Sequence, residues 1–153
     1  MEFMVLKSGC IINNYTIMSF IPKRTKFRKT QKGRITGVSV VNIKLSNGIM
    51  GLKALEIGRI KPSHIESCRQ NISRKLKKTA GKLWINIFPH TPVTSKAVGV
   101  RMGKGKGAVD YWTSQVRPGQ IVLEISGVSP ILAKNILLKA SFKLPIRTKI
   151  ISR

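Results

Sequence analysis

Acidic side chains are scarce in this chain: Glu2, Glu56, Glu66, Asp110 and Glu124 stand alone against 29 Lys and Arg, a net charge of +24. Scattered singly, they offer no carboxylate pair for hydrolysis and no oxygen cage for a hard cation. Cysteine and histidine are equally sparse. Cys10 and Cys68 are too few for a disulfide framework, and with only His64 and His90 beside them they lack the clustered spacing of a zinc site. Cys68 is expected to sit buried as a small hydrophobe. Neither histidine has a nucleophile or carboxylate at a telling spacing, so no catalytic residue, metal or cofactor is assigned. Long apolar runs are missing too; the stretch at 1–21 is interrupted by Asn13 and Asn14 and is too short to span a bilayer.

What is present is a core's worth of apolar residues, 42% of 153, enough for a single packed domain. A charge this lopsided repels itself, which implies a polyanionic partner that neutralises it, and nucleic acid leads the candidates. Composition divides the chain into an extension (1–21), a basic arm (22–34) and one folded domain (35–153). The arm reads PKRTKFRKTQKGR, with Lys23, Arg24, Lys26, Arg28, Lys29, Lys32 and Arg34 uninterrupted by any acid. Such a segment folds onto phosphates, with Phe27 available to stack or anchor; the plainer alternative is a solvated or targeting segment.

Beyond the arm, Asn47-Gly48 between two apolar-rich runs predicts a hairpin with strands near 38–45 and 49–56. Ile65, Cys68, Ile72, Leu76 and Thr79 recur at helical steps, placing a helix over 62–79 with Pro62 in its first turn, a Ser63–Glu66 capping box and Gly81 at its end. Arg74, Lys77 and Lys78 point the other way, to phosphate or to solvent. Further strands are expected over 83–88, near 97–101, over 109–117 and 121–126, and at the C-terminal IRTKIIS. A second helix, 130–142, starts with Ser129 as cap and Pro130, and turns Leu132, Ile136, Leu137 and Ala140 inward. This order predicts an α+β, two-layer domain with a mixed or antiparallel sheet and two helices.

The most unusual stretch is Arg101-Met102-Gly103-Lys104-Gly105-Lys106-Gly107. It has neither the Walker spacing with a following Ser or Thr nor the dinucleotide-binding glycine pattern with its later acid. Its glycines let the backbone approach a sugar-phosphate chain while Arg101, Lys104 and Lys106 supply charge. Trp84, Tyr111 and Trp112 sit in strand patterns where packing is favoured over base stacking.

Together with GLKALEIGRI, KLWINIFPHTPVTSKAVGVRMGKGKGAVDYW, QVRPGQIVLEISGV and KLPIRTK, the arm resembles the large-subunit ribosomal protein sixteen family of bacteria and organelles, over residues 22–152. The resemblance implies a structural constituent of the large ribosomal subunit rather than an enzyme. It implies ribosomal RNA along the arm at Lys23, Arg24, Lys26, Arg28 and Lys29, with neighbouring large-subunit proteins around the domain. It also implies that the loop Arg101 to Gly107 faces the aminoacyl-site tRNA near the peptidyl-transferase centre. The long extension departs from the family, as does the composition of 35–50, and Lys61 stands where a capping Thr or Ser is usual. An Ile- and Asn-rich extension with almost no basic targeting character favours the mitochondrial matrix over a plastid or the bacterial cytoplasm. The rival from another class is an architectural nucleic-acid-binding protein outside the ribosome, since counterion release is common to both; a membrane-surface module ranks last and no membrane insertion is expected.

Overall fold

A computed structural model of the chain describes residues 20–77 and 79–153, together with two short antiparallel strands in the extension, β1 (Met4–Val5) and β2 (Ile11–Ile12). The body follows as β3 (Met50–Ala54), β4 (Gly58–Ile60), α1 (Pro62–Leu76), β5 (Lys82–Ile85), β6 (Thr91–Ser95), β7 (Ala108–Val116), β8 (Ile121–Ser126), α2 (Pro130–Ser141) and β9 (Thr148–Ser152). It is an α+β domain. The expected single sheet is two antiparallel ones, a four-stranded sheet ordered β5-β8-β3-β9 and a three-stranded sheet ordered β4-β7-β6.

Strand β8 carries the core because it is central and apolar on both sides. Leu123 and Ile125 pair with Leu52 and Met50 of β3 on one side and with Ile85 and Leu83 of β5 on the other. All are buried, as are Ile65, Cys68, Ile72 and Leu76 of α1 and Ala133, Ile136, Leu137 and Ala140 of α2, which form one cluster with them. The two helices meet through Cys68, whose thiol donates to the Ala140 carbonyl at 3.4 Å. Burial pushes that thiol's pKa up to about 11, so it behaves as the small hydrophobe expected.

Several boundaries differ from expectation. Leu132 is 38% exposed and Ala133 takes the inward position, because Ala133, Ile136, Leu137 and Ala140 are the set at helical spacing. Helix α1 stops at Leu76, and Thr79 returns both its N–H and its hydroxyl to the Leu76 carbonyl. Lys61 occupies the N-cap position with no side-chain cap, and Glu66, instead of closing a capping box with Ser63, takes a two-pronged grip from Arg69 at 2.6 and 2.7 Å. Gly81 does not end the helix; it is buried, and a Cβ there would lie 2.5 Å from Leu76. The strand expected near 97–101 is absent, replaced by β6 upstream. Gly99, Gly103 and Gly105 take φ of 85°, 87° and 78°, breaking extended backbone, and Pro92 is tolerated because β6 is an edge strand.

The hairpin at Asn47-Gly48 does not form either. Both edges of β3 are occupied, by β8 and β9, leaving none for 38–45. The chain before β3 instead lies against β8 in irregular backbone, held by the buried carboxylate of Glu124. One carboxylate oxygen accepts from the N–H groups of Ser46, Asn47 and Gly48 at 3.2, 2.8 and 2.7 Å. The other accepts from the Asn86 side-chain amide. Gly48 is required here for closeness: a Cβ would sit 2.7 Å from the Glu124 Cβ.

Burial alone would raise the Glu124 pKa, but the Gly48 and Asn47 amides, the Asn86 side chain and the Ser46 amide outweigh it and hold the carboxyl below the usual range. A depressed folded pKa gives stability that is complete at neutral pH and lost as pH falls from the ordinary glutamate range through the lower folded value. Replacing Glu124 with Gln removes the negative charge that the three N–H donors share and turns an amide donor toward the Asn86 amide, and is expected to cost about 2–4 kcal/mol. Urea titrations at neutral and acidic pH check this: the gap between wild type and variant closes as pH falls, and a gap independent of pH contradicts it.

Candidate nucleic-acid interface

The basic arm has no regular secondary structure, and its residues from Lys23 to Arg34 are exposed. Yet it does not hang loose. On β4, Arg59 donates through one terminal nitrogen to the Lys32 and Gly33 carbonyls at 3.0 and 2.7 Å. From the glycine loop, Lys106 donates to the Thr30 carbonyl at 2.7 Å, and Lys29 of the arm donates back to the Lys106 carbonyl at 3.1 Å. The two features singled out in the sequence, far apart in the chain, are neighbours in the fold. Their joints are cation-to-carbonyl bonds, which fix an ammonium or guanidinium without cancelling its charge.

The side chains of Lys23, Arg24, Arg28, Lys32, Arg34, Arg101 and Lys104 make no hydrogen bond or ion pair with another described residue. These are the groups that can meet an outside anion. Lys26 lies 5.5 Å from the ring centre of its neighbour Phe27, which is itself 63% exposed. In the loop, Met102 and Gly103 project into solvent with Lys104 and Gly105, whereas Gly107 is half-buried against the backbone of Ser95. Arg74 is exposed on α1 and Lys77 just past its end; Lys78 lies outside the described residues. Twelve positions at 1.5 Å per residue put Arg74 about 18 Å along the helix from Pro62, the residue of α1 that shares a groove with Arg28 of the arm.

Sequence reasoning missed four basic groups. Arg59 holds the arm, and nothing in a short strand signals which distant segment its side chain reaches. Lys61, noted only as a departure at the helix start, lies 4.2 Å from the ring centre of Tyr111, a cation–π contact. Lys75 and Lys139 approach each other between α1 and α2; partial burial, then the Lys139 charge, draws the Lys75 ammonium below its usual pKa. Tyr111 and Trp112 are half-buried and line grooves beside the arm, so they combine packing with an accessible face. His90 bonds the Phe88 carbonyl through a ring nitrogen, and neither histidine meets a nucleophile or carboxylate among the described residues. No described helix is long and apolar enough to cross a membrane.

Compared with known proteins, residues 22–151 match the family model described as ribosomal protein L16p/L10e. The chain belongs to that family. Large ribosomal subunit protein uL16 of Acidiphilium cryptum is 52% identical over 132 residues, which is 86% of this chain and 95% of the relative. The proteins of the same name from Azorhizobium caulinodans and Mesorhizobium japonicum are also 52% identical over 132 residues, 86% of this chain and 96% of each relative. The family match begins at Pro22, the first residue of the arm.

Substituting Arg59 with Ala removes both bonds to the Lys32 and Gly33 carbonyls. At about 1 kcal/mol for the tether, the arm is expected to open about fivefold more often. Limited trypsin digestion of the arm measures this, and an unchanged cleavage rate with unchanged circular dichroism rejects the tether.

Proposed function

We propose that this protein is a structural constituent of the large ribosomal subunit that binds ribosomal RNA through the arm and the adjoining basic surfaces. It helps shape the aminoacyl-tRNA site with the loop from Arg101 to Gly107. The observation that carries this reading is the joint between arm and glycine loop, which gathers uncancelled cations from two distant segments onto one region of a rigid body. Charge supplies affinity: each phosphate met by Lys or Arg releases condensed counterions, and the folded core sets which phosphates are reached. The bonds of Lys29 and Lys106 make the arm and loop one unit, so RNA held along the arm positions the loop for tRNA. Residues 22–34 act as the arm of a single domain, and the Arg74, Lys75, Lys77 and Lys139 surface meets a second stretch of RNA. The role is one of architecture rather than turnover.

The relatives above are bacterial. The mitochondrial matrix is proposed for this chain from the composition of residues 1–21, Ile- and Asn-rich with Lys7 as their only Lys or Arg. Sedimentation after a high-salt wash decides among the readings: the chain travels with mitochondrial large subunits if this one holds, and with DNA if it is an architectural protein elsewhere.

Contact with about eight phosphates predicts a log–log salt slope near −7 for binding to duplex-like RNA, measured by filter binding across a salt series; a slope near zero rejects the electrostatic mechanism. Converting Arg24, Arg28 and Lys29 together to Ala is expected to lower incorporation into large subunits while the isolated fold stays intact. Lys104, which unlike Lys106 holds no part of the arm, is the position for testing the tRNA side. Lys104→Ala is expected to weaken aminoacyl-tRNA binding to assembled ribosomes more than it weakens assembly, and normal tRNA affinity would count against that role.

A further inference from the structure

Acids are so few in this chain that each described one can be followed to its use. Glu124 holds the chain before β3, Glu66 grips Arg69, and Glu56 meets Arg147 at 3.3 Å. Asp110 does none of this: it is exposed and makes no hydrogen bond or ion pair among the described residues, in a chain of charge +24. Its position is also irregular. In the β6–β7 ladder Val93 faces Tyr111 and Thr94 faces Val109, so Asp110 is the extra residue of a β-bulge. A bulge re-aims a side chain, and here the strand turns Asp110 to a groove of about 540 Å³ bounded by Phe20, Arg28, Tyr111 and Trp112.

The lining specifies an occupant. Apolar and aromatic walls suit the face of a nucleobase, and Arg28 of the arm suits the attached phosphate. A carboxylate repels phosphate and can be satisfied only by donors. Among the Watson–Crick edges of the four bases, guanine alone sets two donors side by side, N1–H and N2–H₂, to match the two oxygens of one carboxylate. Resting on the RNA-binding reading above, we propose that this groove receives a single unstacked guanosine of the ribosomal RNA, with Asp110 reading its Watson–Crick edge. Ribosomal RNA rather than tRNA is the source because one wall of the groove is the arm itself.

The full chain is titrated with a hairpin RNA carrying one bulged guanosine, with the same hairpin bulged by adenosine, and with an unbulged control. The guanosine hairpin is expected to bind about tenfold more tightly than the adenosine one, and Asp110→Asn to erase that preference while all three still bind. Equal binding of the three by wild type, or a preference that survives Asp110→Asn, overturns the pocket and leaves the RNA-binding reading standing. Binding to none of them overturns both. Kethoxal, which modifies guanine at N1 and N2, then assigns the source in large subunits free of tRNA. One ribosomal guanosine is expected to be protected with wild-type protein and reactive with Asp110→Asn, whereas identical patterns overturn the assignment to ribosomal RNA.

Discussion

A single buried carboxylate holds together the part of the structure on which the rest depends. Glu124 lies at the centre of the central strand, with Gly51 of β3 opposite it on one side and Trp84 of β5 on the other. One of its oxygens takes up three consecutive backbone N–H groups of the chain that arrives from the arm. Three backbone donors converging on one anion reproduce the local geometry of an anion-binding nest, here closed by the protein's own side chain. Between residues 46–48 and the arm, Ser39 donates to the Pro118 carbonyl and Ile121 to the Asn42 carbonyl, and Arg59 and Lys106 then hold the arm at the carbonyls of Lys32, Gly33 and Thr30.

Much of this fold was legible wherever the pattern was local. The apolar stripe of α1 from Ile65 to Leu76, the start of α2 at Pro130 and the buried run of β8 are written in spacing alone, and they lie where periodicity places them. The arm and the glycine loop were legible as charge and composition. What was not legible was decided between distant segments. Asn47-Gly48 has the composition of a two-residue hairpin turn, but a carboxylate on β8 competes for those amides and β3 has no edge to spare. Leu132 is as hydrophobic as its neighbour is small, yet helix geometry gives Ala133 the inward place. The proximity of arm and loop had no local signature, since each half looks like an independent solvated segment until Lys29 and Lys106 exchange bonds.

The distribution of charge follows a consistent rule. The described acids other than Asp110 are used inside the protein, for a buried knot and two ion pairs. The cations are oriented instead by neutral partners: backbone carbonyls for Lys29, Arg59 and Lys106, and an aromatic face for Lys61. A carbonyl or a ring holds a cation in place but leaves its field intact. The protein thus keeps a rigid body and an unneutralised positive surface together, which would conflict if the same cations were paired with carboxylates.

The glycine loop is built like a cantilever. Its root is clamped, because Gly107 packs so closely on the Ser95 backbone that no side chain fits between them, and the β6–β7 ladder begins there. Toward its tip the walls fall away: Gly99, Gly103 and Gly105 face open space, and Met102 is 96% exposed. The unpacked tip carries Arg101 and Lys104 clear of the body, while Lys106, next to the root, holds the Thr30 carbonyl of the arm. A clamped end and an unsupported end are thereby separated within half a dozen residues of one strand connection.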